Sequence, residues 1–475
     1  MRWEFSGRLE PAAGRRCDRH EFALPSGARQ LVIRVRYTRT GDTYPALQVF
    51  DHGGWRGEAK GYGSRSAVEL ELAVGDLTSP SAMPGGLAAG PWAIEMVGMF
   101  GTVPLEYCAA VEATILGEAP AAGEAERFFP DLARSLRPGP GWYRGDLHLH
   151  STFSDGWYTP RQMADMAATE GVDFFAVTDH NAVGSYRSFA AIDDVPVIPG
   201  IEVTVVEGHA NIFGLQEWLD WRVGCGGLTL NSILRRAHDG GLLTSINHPT
   251  LSPWEWRVMD TPMGLVDCLE VANDPSYPGN DRETLTALAV WTACLNAGRR
   301  ITAIGGSDAF HHPLGRSYRG IPERLAQPST YVQARELSCR AILEGVRAGR
   351  VYVTLGPRLS FGAACGTRTF EIADEVDPGT APLAFTASAS GLAAGDELRL
   401  IRCGEVVGRE VAAGAETSLA YAVPAPDPAG SWYRLDVLRA DGLFAATTNP
   451  IFIGPSEPQP VTFGQMLEIA QRETG

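Results

Sequence analysis

The chain has 475 residues, of which 44% are apolar and 20% charged, and a formal net charge of −16. That length suits about two to four domains, and the acidic balance argues against a nucleic-acid or anionic-membrane partner, because phosphate backbones require a basic face. Lys60 is the single lysine, so Schiff-base and lysine-nucleophile chemistry is excluded from any site outside the N-terminal segment.

Residues 1–117 read as an all-β unit, a sandwich or jelly roll. Ile33, Val35 and Tyr37 alternate with Arg34 and Arg36, and Leu70 and Leu72 alternate with Glu69 and Glu71. Period-2 patterning marks half-buried strands. Residues 118–141 are rich in Ala, Glu, Gly and Pro and read as a linker, with Phe128 and Phe129 placed to dock onto a neighbouring domain.

From residue 142 to residue 357 the pattern changes. Short apolar runs at 174–177, 195–201, 242–246, 268–271 and 301–304 read as buried parallel strands. Helix starts lie between them at Thr159-Pro160, Thr229 and Asp281. Strand and helix alternating over this length imply a βα barrel or a closely related α/β fold. Period 2 returns over residues 358–455, which read as a second β-sandwich, and the tail 456–475 carries a candidate helix from Thr462 to Glu473.

No apolar run follows Met1 to Arg8, so no secretory signal is read there. With no bilayer-length apolar stretch either, the expected location is the cytoplasm. The eight cysteines are scattered without a CxxC pair, which reads as reduced thiols.

Eight of the ten histidines fall between positions 148 and 312. Taken singly, each suits a structural or surface role. Their placement changes that, because Asp146-Leu-His148-Leu-His150, Thr178-Asp179-His180, Glu202, His248 and Asp308 all stand at the ends of expected strands. Strand ends of a βα barrel converge on one face, where its active sites are built. Such a concentration of carboxylates calls for bound cations. Alternate strand residues share a face, so His148 and His150 can meet one metal. Asp155 follows in a loop, Glu202 has two oxygens suited to bridging two ions, and His209, at an expected strand start in Glu207-Gly208-His209-Ala-Asn211, is placed to complete a second shell.

The ordered motifs Asp-Leu-His-Leu-His-Ser at 146–151, Thr-Asp-His at 178–180, Gly-Ile-Glu at 200–202, Asn-His-Pro at 247–249 and Gly-Ser-Asp at 306–308 resemble those of the polymerase and histidinol phosphatase (PHP) superfamily. Gly208-His209-Ala-Asn-Ile-Phe-Gly and Ala348 to Pro357 also resemble its carbaryl-hydrolase-type branch. The resemblance implies a distorted (β/α)7 TIM-like barrel, flanked here by the two β-sandwich units, holding two or three divalent ions of manganese, zinc or iron. It implies a first ion on His148, His150, Glu202 and Asp308, and a second on Glu202, His209 and His248. A third would use Asp155, His180 and a histidine after Asp308. The sequence departs from the family there, with Phe310 at the usual histidine position and His311 and His312 following. Either histidine suits the ligand role, and capping a loop suits both equally.

The chemistry implied is hydrolysis by a metal-bridging hydroxide. His180, His311 or His312 would protonate the leaving group when not metal-bound. Arg316 or Arg319 would offset substrate charge, against the commoner role of a structural or solvated arginine. Asn273 and Asp274 read either as pocket residues or as turn residues before Pro275, and Trp254 and Trp256 either as pocket walls or as packing against a flanking domain. Three functions follow: a phosphoesterase on a small phosphate ester, a carboxylic ester, carbamate or amide hydrolase, and a non-catalytic metal-binding module. The partner expected is a small-molecule substrate. The β units are left to cover the metal face, bind a polymer such as a glycan, or form a homo-oligomer interface.

Overall fold

A computed structural model describes all residues except 12–13, 39–40, 42, 62–68, 118–126, 310–316, 378–381, 424–427 and 475. The N-terminal unit is two antiparallel four-stranded sheets, one ordered Arg2–Leu9, Leu105–Ile115, Ala28–Tyr37, Glu69–Gly75, the other Cys17–Leu24, Gly90–Met99, Tyr44–Asp51, Gly54–Lys60. Inward residues of both sheets, among them Phe22, Ile33, Val49, Leu72, Ile94 and Val111, form one shared core, as expected when alternating faces pack as a sandwich.

The central region is built on a sheet ordered Thr302–Gly306, Cys268–Asn273, Leu243–Ile246, Gly208–Phe213, Val197–Val205, Phe174–Val177, Arg137–Asp146. Its helices begin where the caps predict. Thr159 accepts the Gln162 N–H ahead of Pro160–Glu170, and Thr229 accepts the Ser232 N–H ahead of Leu230–Asp239, each in a capping box. The helix Asn280–Asn296 begins one residue before Asp281.

The five runs expected as parallel strands do run parallel, but a further strand lies among them: Gly208–Phe213 folds back from Val197–Val205 as a tight hairpin and pairs antiparallel on both sides. Gly208 sits there at φ 139, a conformation glycine adopts without a Cβ penalty. No continuous hydrogen-bonded ladder closes the sheet into the expected barrel among the described residues. Arg137–Asp146 pairs antiparallel with Ser329–Leu337, and it meets the end of Thr302–Gly306 through a bridge between Leu149 and Ala309 and a 2.9 Å bond from the Asp308 N–H to the His148 carbonyl. Finally, Cys17 and Cys225 are paired across 208 residues with Cα atoms 5.8 Å apart, joining the N-terminal unit to the central one, so the cysteines are not all single thiols.

The strand Arg137–Asp146 starts inside the stretch read as linker. Phe128 is buried there, with ring centroids 5.4 Å from Trp55 and 6.5 Å from Tyr186. Beyond Ser329–Leu337 the same sheet continues through Val351–Thr354 into Phe444–Thr448, Ser431–Leu438, Glu397–Arg402 and Glu405–Val411. A separate four-stranded sheet, Arg368–Glu371, Arg358–Cys365, Leu383–Ser390, Glu416–Val423, faces it across a second core. The tail forms the helix Phe463–Thr474, packed on Asn280–Asn296. No described helix is long and apolar enough to cross a membrane.

Candidate metal centre

The motif carboxylates divide into those that build the framework and those that face the cluster. Asp146 accepts the N–H groups of His148 at 3.1 Å, Ser307 at 3.0 Å and Ala326 at 2.6 Å. It thereby ties the first strand end to the last. Burial pushes its carboxyl up to about 6, against the pull of these bonds. Asp179 accepts the Ser151 N–H at 2.7 Å and the Ser154 hydroxyl at 2.8 Å, shaping the loop that carries Asp155. Leu147 and Leu149 are buried behind the strand, leaving His148 and His150 on the other face.

Glu202 lies at the centre. Its two oxygens are 3.3 Å from His148 Nε2, 3.6 Å from His150 Nε2, 2.6 Å from His180 Nδ1, 3.2 Å from His209 Nδ1 and 3.6 Å from His248 Nε2. Asp308 Oδ1 lies 2.9 Å from His150 Nε2 and 3.4 Å from His148 Nε2. Asp155 Oδ1 lies 3.5 Å from His180 Nε2 and 3.9 Å from His150 Nδ1. Three sets have donor atoms mutually within 4.8 Å: His148, His150 and Asp308; His150, His180 and Glu202; and Glu202, His209 and His248. The eight residues from His148 to Asp308 singled out as ligands are thus brought together. The site expected on Asp155 and His180 differs in that His180 groups with His150 and Glu202, with Asp155 at its edge. His311, His312 and Arg316 lie outside the described residues. Arg319 is turned onto Asp281 at 3.1 Å.

The electrostatics show what the cluster lacks. Burial raises the Glu202 carboxyl, but the imidazoles of His148, His180 and His209 hold it well below its usual range. Burial opposes a proton on His148, yet Asp308, Glu270 and Glu202 hold the ring well above the usual histidine value. His180 is held at about 9, burial opposing and Glu202 and Asp155 raising it, whereas burial takes His209 down to about 4. Glu270 Oε1 sits 2.9 Å from His148 Nδ1, so Nδ1 donates there and Nε2 faces the cluster. That Nε2 is buried without a hydrogen-bond partner, although two carboxylate oxygens stand opposite it. Such a face calls for positive charge, supplied by a proton on the ring or, with the ring neutral, by a cation between Nε2 and the carboxylates. The donor set of imidazoles and carboxylates suits zinc, manganese or iron, and the residues therefore fit divalent ions.

Strained backbone accompanies the cluster. Asn181, His248 and Asp308 have φ of 50°, 27° and 47°, a left-handed region that side chains seldom adopt and that gathers at functional sites. Asn181 holds its place by exchanging hydrogen bonds with the Thr204 backbone at 2.8 and 3.0 Å. Gly306 passes directly beneath His148, where an added Cβ would lie 2.2 Å from the His148 Cβ.

A cavity of about 520 Å³ opens over the cluster, with His180, His209, His248 and Asp308 in its floor. Asn273, Asp274 and Trp254 line it. Trp254 stands edge-on to Tyr277 at 5.2 Å. Trp256 is buried elsewhere, its N–H bonded to Thr261 at 3.0 Å. Among the described lining residues Arg257 is the arginine, and it is paired with Glu255 at 2.8 Å. Phe100, from the N-terminal unit, reaches the cavity with its ring 6.0 Å from that of His180.

Two residues that touch the cluster or its supporting turn are not legible as such in the sequence. Glu270 lies inside the apolar strand Cys268–Asn273, although a carboxylate in a buried run is itself a signal. Lys60 lies in a strand of the N-terminal unit, and nothing local announces its contacts 120 residues away.

Residues 146–274 match the PHP domain family model, a range that holds every residue of this buried histidine and carboxylate cluster except Asp308. Two curated relatives match part of the chain. A 3′,5′-nucleoside bisphosphate phosphatase of Chromobacterium violaceum is 37% identical over 70 residues, 14% of this chain and 25% of the relative. A phosphoribosyl 1,2-cyclic phosphate 1,2-diphosphodiesterase of Eggerthella lenta is 37% identical over 65 residues, 13% of this chain and 25% of the relative. The matched segment thus spans about a quarter of each relative's length. A solved Bacteroides vulgatus two-domain protein, described as containing a predicted PHP-like metal-dependent phosphoesterase, aligns at TM-score 0.36 with 18% identity, over 70% of this chain and 100% of its own.

Proposed function

We propose that the chain is a metal-dependent hydrolase whose principal reaction is cleavage of a small phosphate ester. The carrying observation is Glu202, one carboxylate facing five imidazoles within 3.6 Å, together with the unbonded, cluster-facing Nε2 of His148. The phosphatase and phosphodiesterase similarities of the matched segment support the phosphoester reading. Divalent ions at such a centre supply Lewis acidity, lowering the pKa of water and polarising the scissile group.

The protein's own groups then have separate tasks. His148, His150, Glu202, His209, His248 and Asp308 would hold the ions, and Glu270 and Asn247 orient His148 and Glu202, the latter through a 3.0 Å bond. His180 belongs to the ligand set by geometry, so proton delivery to the leaving group falls to it only when it is not ligated. The Trp254–Tyr277 pair suits a planar or apolar leaving group over the floor.

Ester, carbamate or amide hydrolysis of the carbaryl-hydrolase type is the second reading. It is favoured by the pairing of Arg257 with Glu255, which leaves that lining cation neutralised. Hydrolysis of p-nitrophenyl phosphate against p-nitrophenyl acetate and an aryl carbamate, by manganese- or zinc-loaded protein with a His148→Ala control, separates the two. Phosphate release lost in the variant is the expected result. Ester turnover without phosphate turnover would move the assignment to the second reading.

A further inference from the structure

The strand Gly54–Lys60 belongs to the N-terminal unit, yet two of its side chains serve a loop of the metal centre. Glu58 and Lys60 are alternate residues and share a face. Their side chains are 3% and 4% exposed and lie 3.6 Å apart. Glu58 Oε1 accepts the N–H groups of Val183 at 2.8 Å and Gly184 at 2.7 Å. Lys60 Nζ donates to the carbonyl of His180 at 3.3 Å and to that of Asn181. One turn, residues 180–184, is thus gripped at its carbonyls by an ammonium and at its amides by a carboxylate. Gln48 holds the other Glu58 oxygen at 3.0 Å, and the Trp221 ring lies 4.9 Å from the ammonium.

The opposite side of this turn faces the cluster. The Asn181 N–H bonds to the Glu202 carbonyl at 2.7 Å, and the His180 ring reaches Glu202 and Thr204. Asn181 carries the positive φ already noted, so the turn sits in a conformation that its surroundings must enforce. Burying a charged pair is unfavourable unless its hydrogen bonds are satisfied, and here the satisfying groups are the peptide units that display His180.

We propose that Lys60, oriented by Glu58, is a positioning residue of the metal centre: it holds the His180–Asn181 peptides so that the His180 imidazole stays with His150 and Glu202. The N-terminal β unit is then a working part of the site, contributing this clamp and the Phe100 wall. The inference rests on the reading of His150, His180 and Glu202 as holders of a divalent ion.

The test is a titration of the full chain with manganese and with zinc, read as stoichiometry and affinity, alongside kcat and KM on p-nitrophenyl phosphate. Lys60→Met is expected to weaken one ion by about 10–100-fold, the range for groups that orient metal ligands, while the remaining ions keep their affinity. Its kcat should fall with KM changed less than about twofold. Arg222→Ala is the control, because Arg222 bridges Glu95 and Asp220 across the same interface without touching the cluster. It should lower the Tm and leave metal affinity alone. Should Lys60→Met fail to fold, Glu58→Gln, which keeps an acceptor for the loop amides, decides the matter by the same shift in smaller size. Unchanged affinity in a folded Lys60→Met protein, or in Glu58→Gln, overturns the proposal while the metal reading stands. A wild-type chain that takes up no divalent ion overturns both.

Discussion

Glu270 approaches Nδ1 of His148 to 2.9 Å from the strand Cys268–Asn273, and its second oxygen takes the His248 N–H at 2.8 Å. One carboxylate, itself outside the ligand sets, therefore governs two of the imidazoles that are in them. It fixes the His148 tautomer and helps to hold the unusual backbone of His248.

Glu270→Gln preserves the shape of the side chain and removes its charge. The His148 ring then becomes a poorer donor, and metal affinity should fall by about 10–100-fold. Calorimetric titration of the apoprotein measures this. An affinity equal to wild type would mean that the rest of the pocket already sets the tautomer.

Gly306→Ala tests the close approach of the last parallel strand to the first. An added Cβ would meet the His148 Cβ at 2.2 Å, far inside van der Waals contact, and neither atom belongs to a flexible chain end. The variant should fold with lowered stability and lose the ion held by His148, His150 and Asp308. Metal analysis of the purified variant checks the second point, and full occupancy would contradict it.

Removing metal should destabilise the protein, because a ligand that binds the folded chain stabilises it by about 2.7 kcal/mol at a free concentration roughly a hundred times its Kd. Thermal melts with and without a chelator should differ by several degrees in the wild type. Glu202→Ala should abolish the difference, since every imidazole of the cluster loses its shared carboxylate. A chelator effect that survives in this variant would locate the stabilising ion elsewhere.

The two tryptophans of Pro253-Trp254-Glu255-Trp256 should behave differently. Trp256 is buried, and its replacement by alanine should cost about 3–5 kcal/mol of stability. Trp254 is 38% exposed against Tyr277 in the cavity wall. An aromatic contact of about 0.5–1.5 kcal/mol lost there should raise KM roughly 2- to 10-fold for an aryl substrate and barely move the Tm. Denaturant melts and steady-state kinetics on the two variants distinguish the roles, and a large Tm loss in Trp254→Ala would make it a packing residue too.

Much of the central region could be read from the chain because its signals are local. Runs such as Phe174–Val177 are apolar throughout, and Thr159 and Thr229 carry their own cap partners three residues on. The cluster was readable for a related reason: its members stand at strand ends, where sequence order and spatial convergence coincide. What escaped depended on distance. Lys60 grips a turn 120 residues away, and Cys17 meets Cys225 across 208; neither partner is implied by anything beside it. The antiparallel hairpin at Gly208 escaped because an entirely buried strand looks the same in either direction.

The sheet shared by the central and C-terminal units bears on how the protein can be taken apart. Tyr352 pairs with Thr448 in a ladder spanning Val351–Thr354 and Phe444–Thr448, so the boundary near residue 357 lies between strands that stay hydrogen-bonded across it. A chain cut there would not release a tidy central fragment. It would bare the amides and carbonyls of Val351–Thr354 along a fully buried strand, a template for pairing with other molecules. Such a truncation is expected to self-associate on expression, and a soluble minimal fragment would have to carry Phe444–Thr448 with it.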